Sequence, residues 1–437
     1  MGDISEKNRK WLLEELPGLE AKGILTPDER TRISAYYEGL EIKPSHWLTH
    51  TLSALGALLV GGGIILLFAH NWEHLGRPIR TVLAVTPLAV ASIFSWWVLG
   101  RSTAYRESAG IFHSLAIGAA IALVGQTYHI PSNAPAFFLS WSLLMGPLIF
   151  VLSSHGALLI FLGLATSWCA AAQNESGYAI GFWALLAPAC YRVFTLLKTV
   201  PSAPGTLVSV WGFLISLMIG LGFVMERTIP GMWIIVFSGL LSFIGLLGLR
   251  LLPKEQGWSN PLATVGVLGV STLAYILSWH DVWRNIGWTY QRELWGYQSW
   301  GIWTDSLMAL LFLTGWGWLT VKSFKAQFSL SLILSIFPII SVLGFTFSIQ
   351  FVDGEYASGI LFNFFMLLMG AAYLIDGCRN IRLRYVNYGM VLLSLLILTR
   401  FFDSDFGFFA RGIAFIFIGA GFLAANLIVS RRRKSVP

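Results

Sequence analysis

The sequence predicts an all-α fold, a polytopic integral membrane helical bundle of about 14 transmembrane helices behind a small N-terminal cytoplasmic helical hairpin. Composition is the first reason: 56% of the 437 residues are hydrophobic, only 12% are charged, and the mean hydropathy is +0.69. Soluble proteins carry about 25% charged residues. The second reason is that apolar runs of about 20 residues, each long enough to span a bilayer, recur from Trp47 to Val429. We therefore divide the chain into a hairpin at 1–45, a transmembrane domain at 46–430 and a basic cytoplasmic tail at 431–437.

The predicted spans follow one another closely. The connections near Ser153 and Asn174 are so short that the count is open by about two spans. The approximate cores of the predicted spans are residues 47–69, 79–99, 109–128, 135–153, 156–173, 178–197, 205–225, 230–250, 259–279, 303–321, 327–349, 356–377, 384–401 and 408–429.

The net charge of +7 results from 29 Lys and Arg against 22 Asp and Glu. With the N-terminus in the cytoplasm, most basic residues fall in the N-terminal segment, the cytoplasmic loops and the tail Arg431–Lys434, which is the positive-inside bias. We therefore predict that both termini lie inside. The basic excess reflects topology, so nucleic acid is not an expected partner, whereas the tail is expected to attract anionic membrane lipids.

The first 45 residues predict two helices joined by a tight turn. Residues Glu6–Glu20 carry apolar side chains at helical spacing. Thr26 is followed by Pro27 and then by Glu29, an order typical of a helix start in which the Thr is the N-cap. Because so small a pair cannot build its own core, we expect residues 1–45 to dock on the membrane domain or on a protein partner.

Residues His70–His74 match the H-x-x-E-H pattern of a zinc protease, in which Glu73 would act as the base. The match lies at the end of the first span, a Leu-Gly-Arg-Pro sequence follows at once, and no third zinc ligand is evident. We interpret the segment as an interfacial cap with Trp72 as its anchor. The alternative is a contact with a polar ligand, for which Asn71 and Glu73 are the candidate residues. Neither a metal nor a cofactor is predicted. The 3 cysteines lie in predicted spans and are interpreted as small apolar helix residues: Cys169, Cys190 and Cys378.

A polar cluster that includes Gln126, Tyr128 and His129 closes one predicted span. Amide and imidazole groups near the bilayer core need internal partners. Pro131 disfavours helix at Ile130, so we expect the helix to end there and to free its last carbonyls. On a continuing helix Gln126 and His129 would share a face and form a polar pocket with those carbonyls. We interpret the three residues as ligand-binding candidates; the alternative is a network satisfied wholly by neighbouring helices.

Charged residues bracket the last predicted external turn: Arg400, Asp403, Asp405 and Arg411. Opposite charges at the edge of the hydrocarbon favour pairing. We predict that Arg411 pairs with Asp403 or Asp405 and that the group forms a salt-bridged cap on the last two spans. A substrate or ion site is the alternative.

The longest predicted external connection runs from about residue 280 to 301. Trp283, Ile286 and Tyr290 recur in it at helical spacing. Because indole side chains prefer the membrane interface, this pattern predicts an amphipathic helix lying in the outer interface.

Several motifs resemble a family of bacterial predicted membrane proteins grouped as domain of unknown function 2157. These motifs are Gly23–Glu29, the Gly-rich first span, Asn71–Glu73, Gly125–Ile130 followed by Trp141, and the ending with Arg400–Asp403 and Gly412–Asn426. The resemblance implies a bacterial inner-membrane protein with a cytoplasmic N-terminal segment, and it implies no activity.

The patterns favour a transporter-like protein, or one that binds lipid or a small molecule. Its expected partners are membrane lipids, a small polar or amphiphilic ligand and a protein partner at residues 1–45. A membrane enzyme acting on a lipid-linked substrate is one alternative. A membrane sensor or assembly protein that uses its N-terminal hairpin is another.

Overall fold

Long apolar runs bounded by polar, Gly or Pro residues fold into helices in the described part of this chain. The computed structural model describes residues 6–38, 75–131, 133–176, 179–225, 229–252, 257–293, 299–323, 330–351, 353–380, 382–401 and single positions from 412 to 423. Within these ranges the secondary structure is helical and contains no strand, which confirms the all-α class.

The helices are numbered here in chain order. They are α1 (Glu6–Ala21), α2 (Pro27–Glu38), α3 (Arg77–Trp97), α4 (Thr103–Thr127), α5 (Ala134–Met145), α6 (Leu148–Val151), α7 (His155–Ser176), α8 (Phe182–Thr199), α9 (Pro204–Val224), α10 (Met232–Leu251), α11 (Pro261–Leu277), α12 (His280–Glu293), α13 (Ser299–Ser323), α14 (Leu330–Gln350), α15 (Gly354–Arg379) and α16 (Leu383–Phe401).

By length and composition, 8 helices of the described ranges could cross a membrane, or up to 9 if α11 and the start of α12 count as one bent span. The eight are α3, α4, α5 with α6, α7, α9, α10, α14 and α15. The protein is therefore a membrane protein with several apolar helices, and the larger count of about 14 stays a prediction. The spans expected at 47–69 and 408–429 fall wholly or largely outside the described residues. Those expected at 178–197, 303–321 and 384–401 coincide with α8, α13 and α16, which carry charged side chains.

The first compact unit, residues 1–80, contains α1 and α2. The predicted start of α2 is confirmed, because the Thr26 amide donates to Glu29 at 2.9 Å and the Glu29 amide donates to the Thr26 hydroxyl at 3.3 Å. Each residue thus satisfies a backbone donor of the other, which is the capping-box arrangement. An ion pair of 2.7 Å between Arg30 and Glu20 joins the two helices. The assignment of residues 1–45 to a cytoplasmic domain stays a prediction.

The second compact unit, residues 81–437, has α10 at its centre, in contact with α11, α13 and α14. Glycines allow the closest of these approaches. A Cβ at Gly266 of α11 would overlap the backbone of Gly245 of α10, and one at Gly248 would overlap the backbone of Ala263. Small residues at such crossings let helix backbones approach closely, which is how helices associate in membranes.

In the first half of this unit, α7 packs against α4, α5, α8 and α9. Trp141 of α5 lies on the bare backbone of Gly118 of α4, and its indole N–H donates to the Ser114 carbonyl at 2.7 Å. The indole thus buries its apolar body between two helices while its N–H finds an acceptor.

The predicted external helix is present as α12, but the expected location of its first indole was wrong. Trp283 is completely buried, and its ring packs beside Phe362 and Gly344 inside the protein. Ile286 is buried too. Periodic spacing reveals an apolar helix face but not whether protein or lipid covers it, and here protein covers the described part of that face.

Candidate functional site at a broken helix

The polar cluster at the end of α4 differs from the predicted pocket. The helix ends at Thr127, and His129 has a left-handed backbone with φ of 53°. The Ile130 amide reaches back to the Gly125 carbonyl at 2.9 Å, so the chain satisfies its own helix end as in a Schellman motif. The expectation that Gln126 and His129 share a helix face was therefore wrong, because the helix stops before His129.

The side chains of this cluster face outward. Gln126, Tyr128 and His129 are all exposed. The Tyr128 hydroxyl lies 3.1 Å from the Thr81 hydroxyl of α3, so Tyr128 links two helix ends. Ligand binding by these three residues stays a prediction.

Other predicted site residues lie outside the described residues. Asn71 and Glu73 fall in the range 39–74, and Asp403, Asp405 and Arg411 fall in the range 402–411. Their roles as ligand contacts and ion-pair partners stay predictions. Arg400 is described, and it belongs to a polar site at a broken helix.

The break lies between α11 and α12, whose axes differ by 80°. Two backbone hydrogen bonds to the third preceding residue end α11. The Ser278 amide donates to the Tyr275 carbonyl at 3.2 Å, and the Trp279 amide donates to the Ile276 carbonyl at 3.3 Å. The Ser278 hydroxyl also donates to the Tyr275 carbonyl, at 2.7 Å. Bonds to the third preceding residue tighten the last turn, and the chain then leaves the helix axis.

Side chains satisfy the carbonyls that the break exposes. The buried Trp283 donates its indole N–H to the Leu277 carbonyl at 2.6 Å. Asn363 of α15 donates to the Ser278 carbonyl at 2.9 Å, and the Arg400 Nη2 of α16 donates to the same oxygen. Irregular backbone at membrane depth requires such internal partners.

Arg400 joins three helices at this point. Its Nε donates to the Asn363 side-chain oxygen at 2.9 Å, and its guanidinium carbon lies 5.4 Å from the centre of the Trp279 ring. The neighbouring Thr399 donates to the Tyr275 hydroxyl at 2.9 Å. The C-terminal end of a helix carries partial negative charge, so the end of α11 stabilises the cation that faces it.

The first turns of α15 pack against the break. A Cβ at Gly359 would lie 3.4 Å from both the Ser278 carbonyl oxygen and the His280 amide nitrogen. The rings of His280 and Tyr356 stack with centroids 5.1 Å apart. The break therefore brings together one guanidinium, one amide, aromatic rings and three hydroxyl-bearing residues, which are Ser278, Tyr275 and Thr399. This set is able to bind a ligand with a polar group and an apolar body.

A separate cavity of about 410 Å³ opens between α7 and α9. Its lining is mostly apolar, and the hydroxyls of Thr166 and Ser216 within it lie 2.7 Å apart. The described lining holds no charged side chain. This cavity fits a hydrocarbon chain better than a polar ligand, so the helix break is the stronger candidate site.

The sequence pointed to one member of the site and missed the others. Arg400 was singled out by its charge at a span's end. Ser278 and Asn363 were missed, because one hydroxyl or amide in an apolar run is compatible with an ordinary helix. One feature of the sequence could have indicated the break: the segment Ser278–Asp281, which is mostly polar, directly follows α11. That helix has only 17 residues, fewer than the about 20 that span a bilayer.

Residues 17–158 match the family model described as "Predicted membrane protein (DUF2157)". The match confirms the family resemblance for that part of the chain, from the end of α1 to the start of α7. The DUF2157 match includes the end of α4, and the helix break lies outside it. No curated protein and no solved structure matches the chain.

Proposed function

We propose that this protein is transporter-like: it binds a small polar or amphiphilic molecule at the break between α11 and α12 and moves it across the membrane. One observation carries the proposal. At the 80° bend, Arg400 and Asn363 both bind the last carbonyl of the first half-helix. In many secondary transporters, discontinuous helices of this kind hold the substrate or the coupling ion.

The guanidinium of Arg400 favours an anionic group on the ligand. Its planar fork of N–H donors fits a carboxylate or a phosphate. The Ser278 carbonyl and the Asn363 side-chain oxygen that Arg400 binds are neutral acceptors, whereas a carboxylate or phosphate carries the opposite charge and can accept two parallel hydrogen bonds from the guanidinium. We therefore expect an anionic ligand to displace them. Trp279 offers the apolar surface beside the cation.

The break also supplies a hinge. The two half-helices are joined through Ser278 and Trp279, so their angle can change without breaking hydrogen bonds inside either half. Domain and helix motions of transporters concentrate at a few residues of this kind. Trp283 packs the second half against α15 and also donates to Leu277 of the first half across the break, so a change of angle would require that hydrogen bond to break.

We also infer a bacterial inner-membrane location with both termini in the cytoplasm, from the DUF2157 resemblance and the distribution of basic residues. In that orientation the break lies on the outer side. Residues 1–45 would then face the cytoplasm, where a soluble partner protein can reach them.

The proposal is tested with the purified full-length protein and a panel of small carboxylates and organic phosphates with apolar tails. We expect at least one compound to raise the melting temperature and to exchange by counterflow in proteoliposomes. Arg400→Gln should weaken its binding roughly 10- to 100-fold, because a hydrogen bond to a charged group contributes about 1.5–3 kcal/mol.

Arg250→Gln is the matched control. Arg250 also lies in the last turn of a helix, with its guanidinium carbon 5.8 Å from the centre of the Trp318 ring. If Arg400→Gln lowers the yield of folded protein, Arg400→Lys keeps the charge and loses the fork, and the same weakening is expected. The proposal is wrong if no compound is bound or exchanged, or if folded Arg400 variants respond like the Arg250 variant.

A further inference from the structure

A second polar site lies where the start of α4 meets the start of α7. Glu107 of α4 accepts hydrogen bonds from the Ser154 hydroxyl at 2.6 Å, the His155 amide at 2.8 Å and the Gly156 amide at 3.0 Å. Both carboxylate oxygens are used, one by His155 and the other by Ser154 and Gly156. Glu107 therefore caps α7 from another helix, where the partial positive charge of the helix end favours an anion.

Two arginines surround this capped carboxylate. Arg192 of α8 lies close enough to Glu107 and Arg106 for both charges to act on it. Its guanidinium donates a long hydrogen bond of 3.4 Å to the Ser153 carbonyl. Among the described residues, neither arginine has a carboxylate within the 4.0 Å of an ion pair. Two neighbouring cations repel each other, and Glu107, the nearby carboxylate among the residues that the structure describes, is already bonded to α7.

Arg106 carries a further sign of a missing acceptor. Its Nε is buried and has no hydrogen-bond partner. A buried N–H donor without an acceptor is costly, and more so on a charged group. An anion seated against the two guanidiniums would supply an acceptor to Arg106 and would remove the repulsion between Arg106 and Arg192.

Aromatic residues place this site at the level of lipid headgroups. Trp96 at the end of α3 and Tyr105 at the start of α4 are 76% and 51% exposed, and Tyr191, which precedes Arg192 within α8, is 66% exposed. The guanidinium of Arg101 lies over the Trp97 ring at 4.2 Å. Exposed Trp and Tyr side chains at span ends are typical of the membrane–water interface, so the anion within reach is the phosphate of a lipid.

We propose that Arg106 and Arg192 together bind the phosphate of an anionic phospholipid headgroup. Basic pockets between membrane helices bind such headgroups, and two planar guanidiniums can each present paired N–H donors to one phosphate. This lipid site is independent of the proposed transport site at the break between α11 and α12, because it uses different helices and a different ligand.

The test compares melting temperatures of the full-length protein in detergent with added phosphatidylglycerol, phosphatidylcholine or inorganic phosphate. We expect phosphatidylglycerol alone to stabilise the protein. Arg106→Gln and Arg192→Gln should each raise the phosphatidylglycerol concentration for half-maximal stabilisation about tenfold or more, and the double variant should lose the response. Native mass spectrometry should show the same loss as fewer retained phosphatidylglycerol molecules.

Arg382→Gln is the control, since Arg382 is an exposed arginine at the start of α16 that lies over the Tyr385 ring. If one single variant fails to fold, the other still tests the site, as do the Lys variants, which keep the charge without the fork. Equal stabilisation by phosphatidylglycerol and phosphatidylcholine would overturn the proposal. So would an undiminished response of the double variant. Stabilisation by inorganic phosphate but not by lipid would assign the site to a soluble anion instead.

Discussion

Single side chains hold the ends of helices in this protein, and they do so across helices. Arg400 and Asn363 satisfy the end of α11, and Glu107 satisfies the start of α7. Helix ends that are packed among other helices are shielded from water, so a side chain on a neighbouring helix supplies the missing hydrogen-bond partner. Each of these side chains therefore satisfies free backbone groups at the end of one helix and also connects that helix to another.

The cap of α2 gives a prediction at this scale. Hydrogen bonds from the amide and the hydroxyl of Thr26 lower the pKa of the Glu29 carboxyl below its ordinary value. The pKa of Glu29 is therefore lower in the folded protein than in the unfolded chain. The stability that the ionised Glu29 gives to the start of α2 is fully present above the ordinary pKa, and it is lost as the pH falls through the folded pKa. We expect amide hydrogen exchange at the start of α2, corrected for intrinsic rates, to accelerate below a pH of about 4.3.

Glu29→Gln should abolish this pH dependence, while Thr26→Ala should raise exchange at every pH, because loss of an N-cap costs about 0.5–2 kcal/mol. Asp28→Asn, which alters the neighbouring carboxylate, is the control. Identical pH profiles for the wild type and Glu29→Gln would refute the role of the cap.

At the scale of elements, the sequence predicted helices well and their ends poorly. Every predicted span within the described ranges overlaps a helix, because about 20 consecutive apolar residues leave no other choice in lipid. The end of α4 was expected at Ile130 from the steric effect of Pro131, but the helix closes three residues earlier on a left-handed His129. Helix ends depend on a few backbone bonds, and the break after Leu277 depends on partners more than 80 residues away along the chain.

The crossing of α10 and α11 gives a prediction for elements. Gly266→Ala should lower the melting temperature in detergent, since its Cβ would overlap the backbone of Gly245 and overpacking costs about 1–3 kcal/mol. Gly222→Ala is the matched control: it is an exposed helix glycine of α9 with nothing within 4 Å of the added Cβ. Alanine favours helix by about 1 kcal/mol over glycine, so the control should be neutral or more stable. Equal behaviour of the two variants would show that the crossing tolerates a methyl group.

At the scale of the whole molecule, the two polar contacts between helix ends join ends of the same kind: two starts in one case and two C-terminal ends in the other. The start of α4 meets the start of α7 through Glu107, and the end of α11 meets the end of α16 through Arg400. If successive spans alternate in direction, the two pairs lie on opposite sides of the membrane. The distribution of basic residues predicts that the first pair is on the inner side, and this orientation stays a prediction.

Reporter fusions test that orientation directly. We expect a green fluorescent protein fused after Lys434 to fluoresce, and an alkaline phosphatase inserted at Gly296, between α12 and α13, to be active. The reasons are the basic residues of the N-terminal segment and tail, which stay inside, and the odd number of predicted spans between Gly296 and the C-terminus. An insertion at Lys254, between α10 and α11, is the internal control and should behave as a cytoplasmic site. Activity of the same reporter at both Lys434 and Gly296 would place them on one side and require a different number of spans between them.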